Sequence, residues 1–106
     1  MNIPVCLTIA GSDSSGGAGI QADLKAFAYF TTFGTSAVTA ITAQTPSGVS
    51  SIFPVPVDEV LLQYRAVTET MTVKAIKTGM LTNADIVGTV CDQFDELRGI
   101  PIIVDP

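Results

Sequence analysis

The sequence predicts an α/β fold, a largely parallel sheet with helices on both faces. Three observations carry this. Short, apolar, β-branched runs alternate with stripes of helical period. The alternation repeats at intervals of roughly 30 residues, the span of a strand, its crossover helix and the approach to the next strand. The chain has 106 residues, the size of one domain, and leaves no room for a second independent core.

The first run, Val-Cys-Leu-Thr-Ile-Ala at residues 5–10, ends at Gly11 and suits a strand covered on both faces. Residues 36–43, 73–77 and 100–104 repeat its character. Between them, Ile20, Leu24, Phe27 and Ala28 form one helical stripe, with Gly34 placed to end it. Val60, Leu61, Tyr64, Val67 and Met71 form a second, after an Asp58 cap. In the third, Thr82 and Asp85 read as a capping box ahead of Ile86, Val90, Phe94 and Leu97, and Gly99 closes the helix. Residues 49–57 contain Pro54 and Pro56 and read as an edge strand or an extended connector, because proline cannot donate to a central ladder.

Composition narrows the function classes. Apolar residues are 47% of the chain and charged residues 14%, so much of it is expected to be covered. Residues 26–57 carry no charge, yet Thr, Ser, Gln, Gly and Pro interrupt them throughout, which fits core or subunit interface and not a membrane span. A net charge of −5 with five basic residues argues against nucleic acid as a partner and for a small ligand. The absence of histidine excludes His-dependent triads and His-liganded zinc within the chain. Cys6 and Cys91 belong to no CxxC or Cys/His cluster and read as two buried free thiols. Met1-Asn2-Ile3-Pro4 has no basic side chain ahead of the apolar run, so no secretory signal is expected and a cytoplasmic location follows by default.

Ligands of parallel sheets sit beyond the carboxyl ends of the strands. That directs attention to residues 11–19, 42–49 and 78–81, and to Asp105-Pro106. The stretch from Gly11 to Gly19 can turn tightly and approach a ligand, but it lacks both the GK[ST] ending of a P-loop and the spaced third glycine of a dinucleotide motif. On composition alone it is equally a flexible connector. Asp23 lies early in the first helix, where the macrodipole favours a carboxylate with or without a ligand; its functional alternative is to accept hydrogen bonds from a small heterocycle. Gln44 follows the uncharged strand and carries an amide that both donates and accepts, which suits a pyrimidine edge. Met80 offers a soft apolar wall, or simply core packing.

The run L-T-I-A-G-S-D-S-S-G-G-A-G-I-Q-A-D-L-K at residues 7–25 resembles the opening of the hydroxymethylpyrimidine/phosphomethylpyrimidine kinases of thiamin biosynthesis, members of the ribokinase-like superfamily. G-T-S-A-V-T-A-I-T-A-Q-T at residues 34–45, K-T-G-M-L at 77–81 and I-V-D-P at 103–106 follow in that family's order. The resemblance implies ATP-dependent phosphorylation of 4-amino-5-hydroxymethyl-2-methylpyrimidine and its monophosphate, with ATP and Mg2+ as cofactors. It implies that Gly11, Asp23, Gln44 and Met80 hold the pyrimidine and that Asp105 stands near Mg2+ and the phosphates. Thr45 and Thr78 depart locally from the family pattern. Members run to more than twice this length, and their catalytic residue and most of the ATP site come later. The resemblance therefore implies the N-terminal, substrate-binding part of one ribokinase-like domain, an incomplete fold with no catalytic residue, inactive by itself and prone to associate as a homo-oligomer, a dimer, through its bare sheet edge and uncharged middle. The rivals are a pyridoxal or pyridoxine kinase and a non-catalytic ligand-binding or oligomer-forming module.

Overall fold

The alternating pattern resolves into eight elements in a computed structural model that describes residues 2–106. They are β1 (Val5–Ser12), α1 (Gly19–Tyr29), β2 (Phe33–Thr45), β3 (Gly48–Pro54), α2 (Val57–Thr68), β4 (Val73–Thr78), α3 (Ala84–Phe94) and β5 (Ile102–Val104). The strands form one sheet in the order β3-β2-β1-β4-β5. All pair in parallel except β3, which runs antiparallel to β2 along the edge. The proline-containing segment is thus an edge strand, the place where a missing donor costs least.

Side-chain alternation along β1 sorts the helices onto two faces. Leu7 and Ile9 are fully buried in a cluster with Ala37 and Ile76, roofed by Val60 and Tyr64 of α2 and Ile86 and Val90 of α3. Thr8 points the other way and donates to Asp23 of α1. On that face Gly34 lets α1 come close: a Cβ there would stand 2.8 Å from Leu24 Cδ2 and 3.0 Å from Phe27 Cδ2. Helices therefore cover both faces, as the alternation predicts.

Several boundaries differ from those the sequence predicts. Gly34 does not end α1; it lies within β2. The helix closes four residues earlier in a Schellman arrangement, with Thr32 N–H donating to Phe27 O, Thr31 N–H to Ala28 O, and Thr31 taking the left-handed φ of 58° that glycine usually supplies. Pro56, not Asp58, caps α2: its carbonyl accepts from Glu59 and Val60, while Asp58 and Glu59 sit in the first turn, facing the positive end of the dipole. Asn83, not Thr82, caps α3, its Oδ1 accepting from Ile86 N at 3.0 Å. Thr82 has been drawn off to bond Thr39. α3 ends at Phe94, well before Gly99, and Leu97 packs on the core from outside it. Met71 lies beyond α2 and is exposed.

The uncharged stretch is core only in part. Ala37, Thr39, Ala40 and Thr42 are buried, but Tyr29 is 82% exposed, Phe30 74% and Phe53 65%, so less of the apolar content is covered than its composition suggests. Cys6 is half-buried and Cys91 lies exposed on α3, which corrects the expectation of two buried thiols. Among the described residues, no helix is long and apolar enough to cross a membrane.

Candidate substrate cleft at the carboxyl edge

The turn from β1 into α1 is held by one aspartate. Asp13 Oδ1 accepts from Ser15 N at 2.8 Å and Ser15 Oγ at 2.7 Å, and Oδ2 accepts from Ala18 N at 2.8 Å. Gln21 closes the base of the loop: its Oε1 accepts from Asp13 N and its Nε2 donates to Ser12 Oγ, both at 2.8 Å. Ser14 Oγ joins the loop to the end of β2, accepting from Gln44 N and lying 2.7 Å from Gln44 O. The Gly/Ser run is therefore an ordered turn and not a flexible connector. The Ser15 hydroxyl, with the amides of Ser15, Ala18 and Gly17, holds the Asp13 carboxyl below its ordinary value of 3.8, against the opposing effect of burial.

A lowered carboxyl pKa stabilises the folded loop fully above the ordinary value and loses that contribution as pH falls through the folded one. The Ser15 and Ala18 amide resonances are therefore expected to hold steady from neutral pH down to about 4 and to move only below 3.8. Asp13→Asn should erase that acid step; a step persisting in the variant would assign it to another group.

Beside this turn lies a cleft of about 300 Å³ whose wall includes Gly11, Asp13, Gln44, Lys77, Met80 and Asp105. That volume suits a small heterocycle. Gly11 sits where the register of β1 against β2 shifts, between Ala10 and Ser12. A Cβ on it would meet Met80 Cε at 2.6 Å, so glycine here is what lets the thioether lie over the strand end. Met80 is anchored from below: the fully buried Thr39 donates to its carbonyl at 2.6 Å. Thr42 donates to Ser12 O at 2.6 Å and lies 3.4 Å from Gln44 Oε1, leaving the Gln44 amide nitrogen uncommitted among the described residues.

On the far wall an ion-pair chain crosses from α1 to β5. Thr8 and Lys77 are register partners on adjacent strands, and Asp23 sits over both. Asp23 Oδ2 accepts from Thr8 Oγ1 at 2.5 Å and from Lys77 Nζ at 3.0 Å. Asp105 Oδ2 lies 3.7 Å from the same ammonium. The structure thus brings Gly11, Gln44, Met80 and Asp105 to one cleft and places Asp23 behind Lys77, outside the lining.

Sequence reasoning passed over Asp13 and Lys77 as site residues. An aspartate opening D-S-S-G is the pattern of an Asx turn, and a lysine within the strand V-K-A-I-K-T demands a partner. No three acidic, Cys or His groups among the described residues could hold a metal together. Asp105 offers the cleft one exposed carboxylate, with Lys77 Nζ 3.7 Å away. A larger hollow of about 880 Å³, lined by Ile3, Pro4, Met71 and Lys74, lies at the opposite, amino ends of β1 and β4. Its lining mixes apolar side chains with Asn2, Thr72 and Lys74, and it lies off the edge where such sheets bind ligands.

A sheet of this order, with an ordered glycine-rich turn after its first strand and a heterocycle-sized cleft on its carboxyl edge, is an α/β scaffold for a small ligand, and its match to a solved phosphomethylpyrimidine kinase puts the fold in the ribokinase-like class of kinases. Within that class, the family model for phosphomethylpyrimidine kinase matches residues 13–106, and the chain belongs to that family. It is 50% identical over 106 residues to the hydroxymethylpyrimidine/phosphomethylpyrimidine kinase of Bacillus subtilis, covering 100% of this chain and 39% of that protein. The crystal structure of phosphomethylpyrimidine kinase from Clostridium difficile 630 matches with a TM-score of 0.92 and 42% identity, over 96% of this chain and 47% of that one. Bacillus subtilis pyridoxal kinase, solved as an ADP complex, matches with a TM-score of 0.90 and 41% identity, over 99% of this chain and 42% of that one. The chain spans less than half the length of each of these proteins.

Proposed function

We propose that this chain supplies the pyrimidine pocket of a kinase that transfers phosphate from ATP to 4-amino-5-hydroxymethyl-2-methylpyrimidine, and then to its monophosphate, in thiamin biosynthesis. The observation that carries this reading is the meeting of Gly11, Gln44 and Met80 around one cleft of about 300 Å³. An aminopyrimidine edge offers a donor beside an acceptor, and the Gln44 amide is its complement. The Met80 thioether covers the flat face, and Gly11 is what lets it lie there. MgATP, when bound, supplies the phosphoryl group, and Asp105, exposed at the cleft, would be the carboxylate of this chain that shares the cation.

Calorimetric titration of the chain with the hydroxymethylpyrimidine tests the pocket. Gln44→Ala is expected to weaken binding about tenfold, the cost of leaving the ring's polar edge without partners. Unchanged affinity in a variant with wild-type circular dichroism discards the assignment. The likeness to Bacillus subtilis pyridoxal kinase supports a second reading, in which the ring is pyridoxal. Parallel titrations separate the two, and tighter binding of pyridoxal transfers the pocket to that substrate.

A further inference from the structure

Lys77 is not explained by the pocket alone. Its ammonium has two carboxylate neighbours of different character. Asp23 is fixed: Oδ2 sits 3.0 Å from Nζ, also takes the Thr8 hydroxyl, and belongs to a side chain only 15% exposed. Asp105 is loose: at 3.7 Å it is beyond hydrogen-bond length, and its side chain is 68% exposed. An ammonium carries three donors, so Lys77 presents to the cleft more donor capacity than its one firm partner uses. Gly79 keeps that space open, since a Cβ there would stand 3.1 Å from Nζ and 2.9 Å from Ala10 Cβ. The sheet order puts Gln44, at the end of β2, and Lys77, on β4, on opposite sides of β1. A ring that pairs its N3 and 4-amino edge with Gln44 carries the hydroxymethyl group on the adjacent C5, at the flank of that edge, and a ring lying across the end of β1 turns this flank towards β4.

We propose that the Lys77 ammonium, held in place by Asp23, donates a hydrogen bond to the oxygen of the ring's exocyclic hydroxymethyl group, and so selects heterocycles that carry the oxygen to be phosphorylated. The proposal rests on the pyrimidine-pocket reading and adds to it the group that senses the reacting substituent. Asp23 is then a positioning residue: it fixes the ammonium and does not itself touch the ring. A charge-assisted hydrogen bond of this kind is among the stronger polar contacts and discriminates sharply against a ligand lacking the acceptor.

Calorimetry with two probes tests it: 4-amino-5-hydroxymethyl-2-methylpyrimidine and 4-amino-2,5-dimethylpyrimidine, which lacks only the oxygen. The wild-type chain is expected to prefer the first by about tenfold. Lys77→Met should bring that preference below about twofold while binding of the dimethyl compound stays within about twofold of wild type. Lys77→Arg, which keeps the charge and the Asp23 partner, should retain most of it. If circular dichroism shows Lys77→Met unfolded, Lys77→Gln, whose amide still reaches for Asp23, is expected to show a preference of about threefold. A full tenfold preference in a folded Met or Gln variant, or equal binding of the two probes to wild type, overturns the role of Lys77 and leaves the pocket standing. Failure of both probes to bind wild type overturns the pocket reading and this proposal with it.

Discussion

Gly19→Ala is expected to lower the free energy of unfolding by roughly 3 kcal/mol and to abolish ligand binding at the cleft. Gly19 opens α1 with a φ of +60°, a conformation that costs an L-residue about 1–2 kcal/mol. Its added Cβ would stand 2.5 Å from the Gly11 carbonyl oxygen and 3.0 Å from Asp13 N. Both are backbone atoms and cannot rotate aside. Relief requires the first turn of α1 to lift off the end of β1, which strains the Gln21 bond to Asp13 N and displaces Ala18 and Gly19 from the wall of the cleft. Gly88 supplies the control. It lies in the exposed interior of α3 with nothing within 4 Å of its would-be Cβ, so Gly88→Ala is expected to stabilise by about 1 kcal/mol. Urea denaturation measures both. Midpoints that shift in the same direction would show that the turn is not packed against β1 as described.

The opposite signs expected of one chemical change show what sequence does and does not reveal. Strand and helix identity was legible because apolar period is a local property: residues 5–10 and Ile86, Val90 and Phe94 announce themselves. Helix ends were less so, because they depend on competition for hydrogen bonds. Thr82 had the right type and spacing for a cap, but its hydroxyl reaches Thr39 on β2, and Asn83 caps instead. Gly34 looked like a helix stop until the approach of Leu24 and Phe27 gave its bare Cα another purpose. Thr31 closes α1 with a β-branched residue in the left-handed region, which no propensity scale would choose.

The cleft divides in the same way. Gly11 and Gln44 lie in the last residues of β1 and β2, Met80 and Asp105 just beyond β4 and β5, and the rule that parallel sheets bind ligands at that edge was enough to group them. Asp23 was grouped with them by resemblance, and the structure sets it one layer back. The reason is register: Thr8 aligns with Lys77 across β1 and β4, both on the face that α1 covers, so the carboxylate meets them before the cleft. Register between parallel strands joined by a long crossover leaves no local trace in the sequence, and neither does the partner of a strand lysine. Asp13 left a trace in D-S-S-G, because an Asx turn is made within a few residues.

Ile9→Ala is expected to destabilise the chain by about 3.5 kcal/mol, a loss set by its place at the centre of the core. Ile9 is 0% exposed, and it stands on the central strand beneath α2 and α3. Its backbone carbonyl accepts from Gly79 N at 2.9 Å, a bond that the substitution leaves in place, so the cost is removed side-chain packing and the cavity left behind. Ile52 on edge strand β3 is 51% exposed, and the same truncation there should change stability by less than about 0.5 kcal/mol. The contrast matters for function because β1 is the one strand hydrogen-bonded to both β2 and β4, the carriers of Gln44 and of Lys77. A domain stabilised by about 5–15 kcal/mol that loses this much keeps its fold but with a small margin, so ligand binding by Ile9→Ala should fall steeply with temperature while that of Ile52→Ala follows wild type. Equal denaturation midpoints for the two variants would mean that α2 and α3 do not rest on β1, and the floor of the cleft would lose its support.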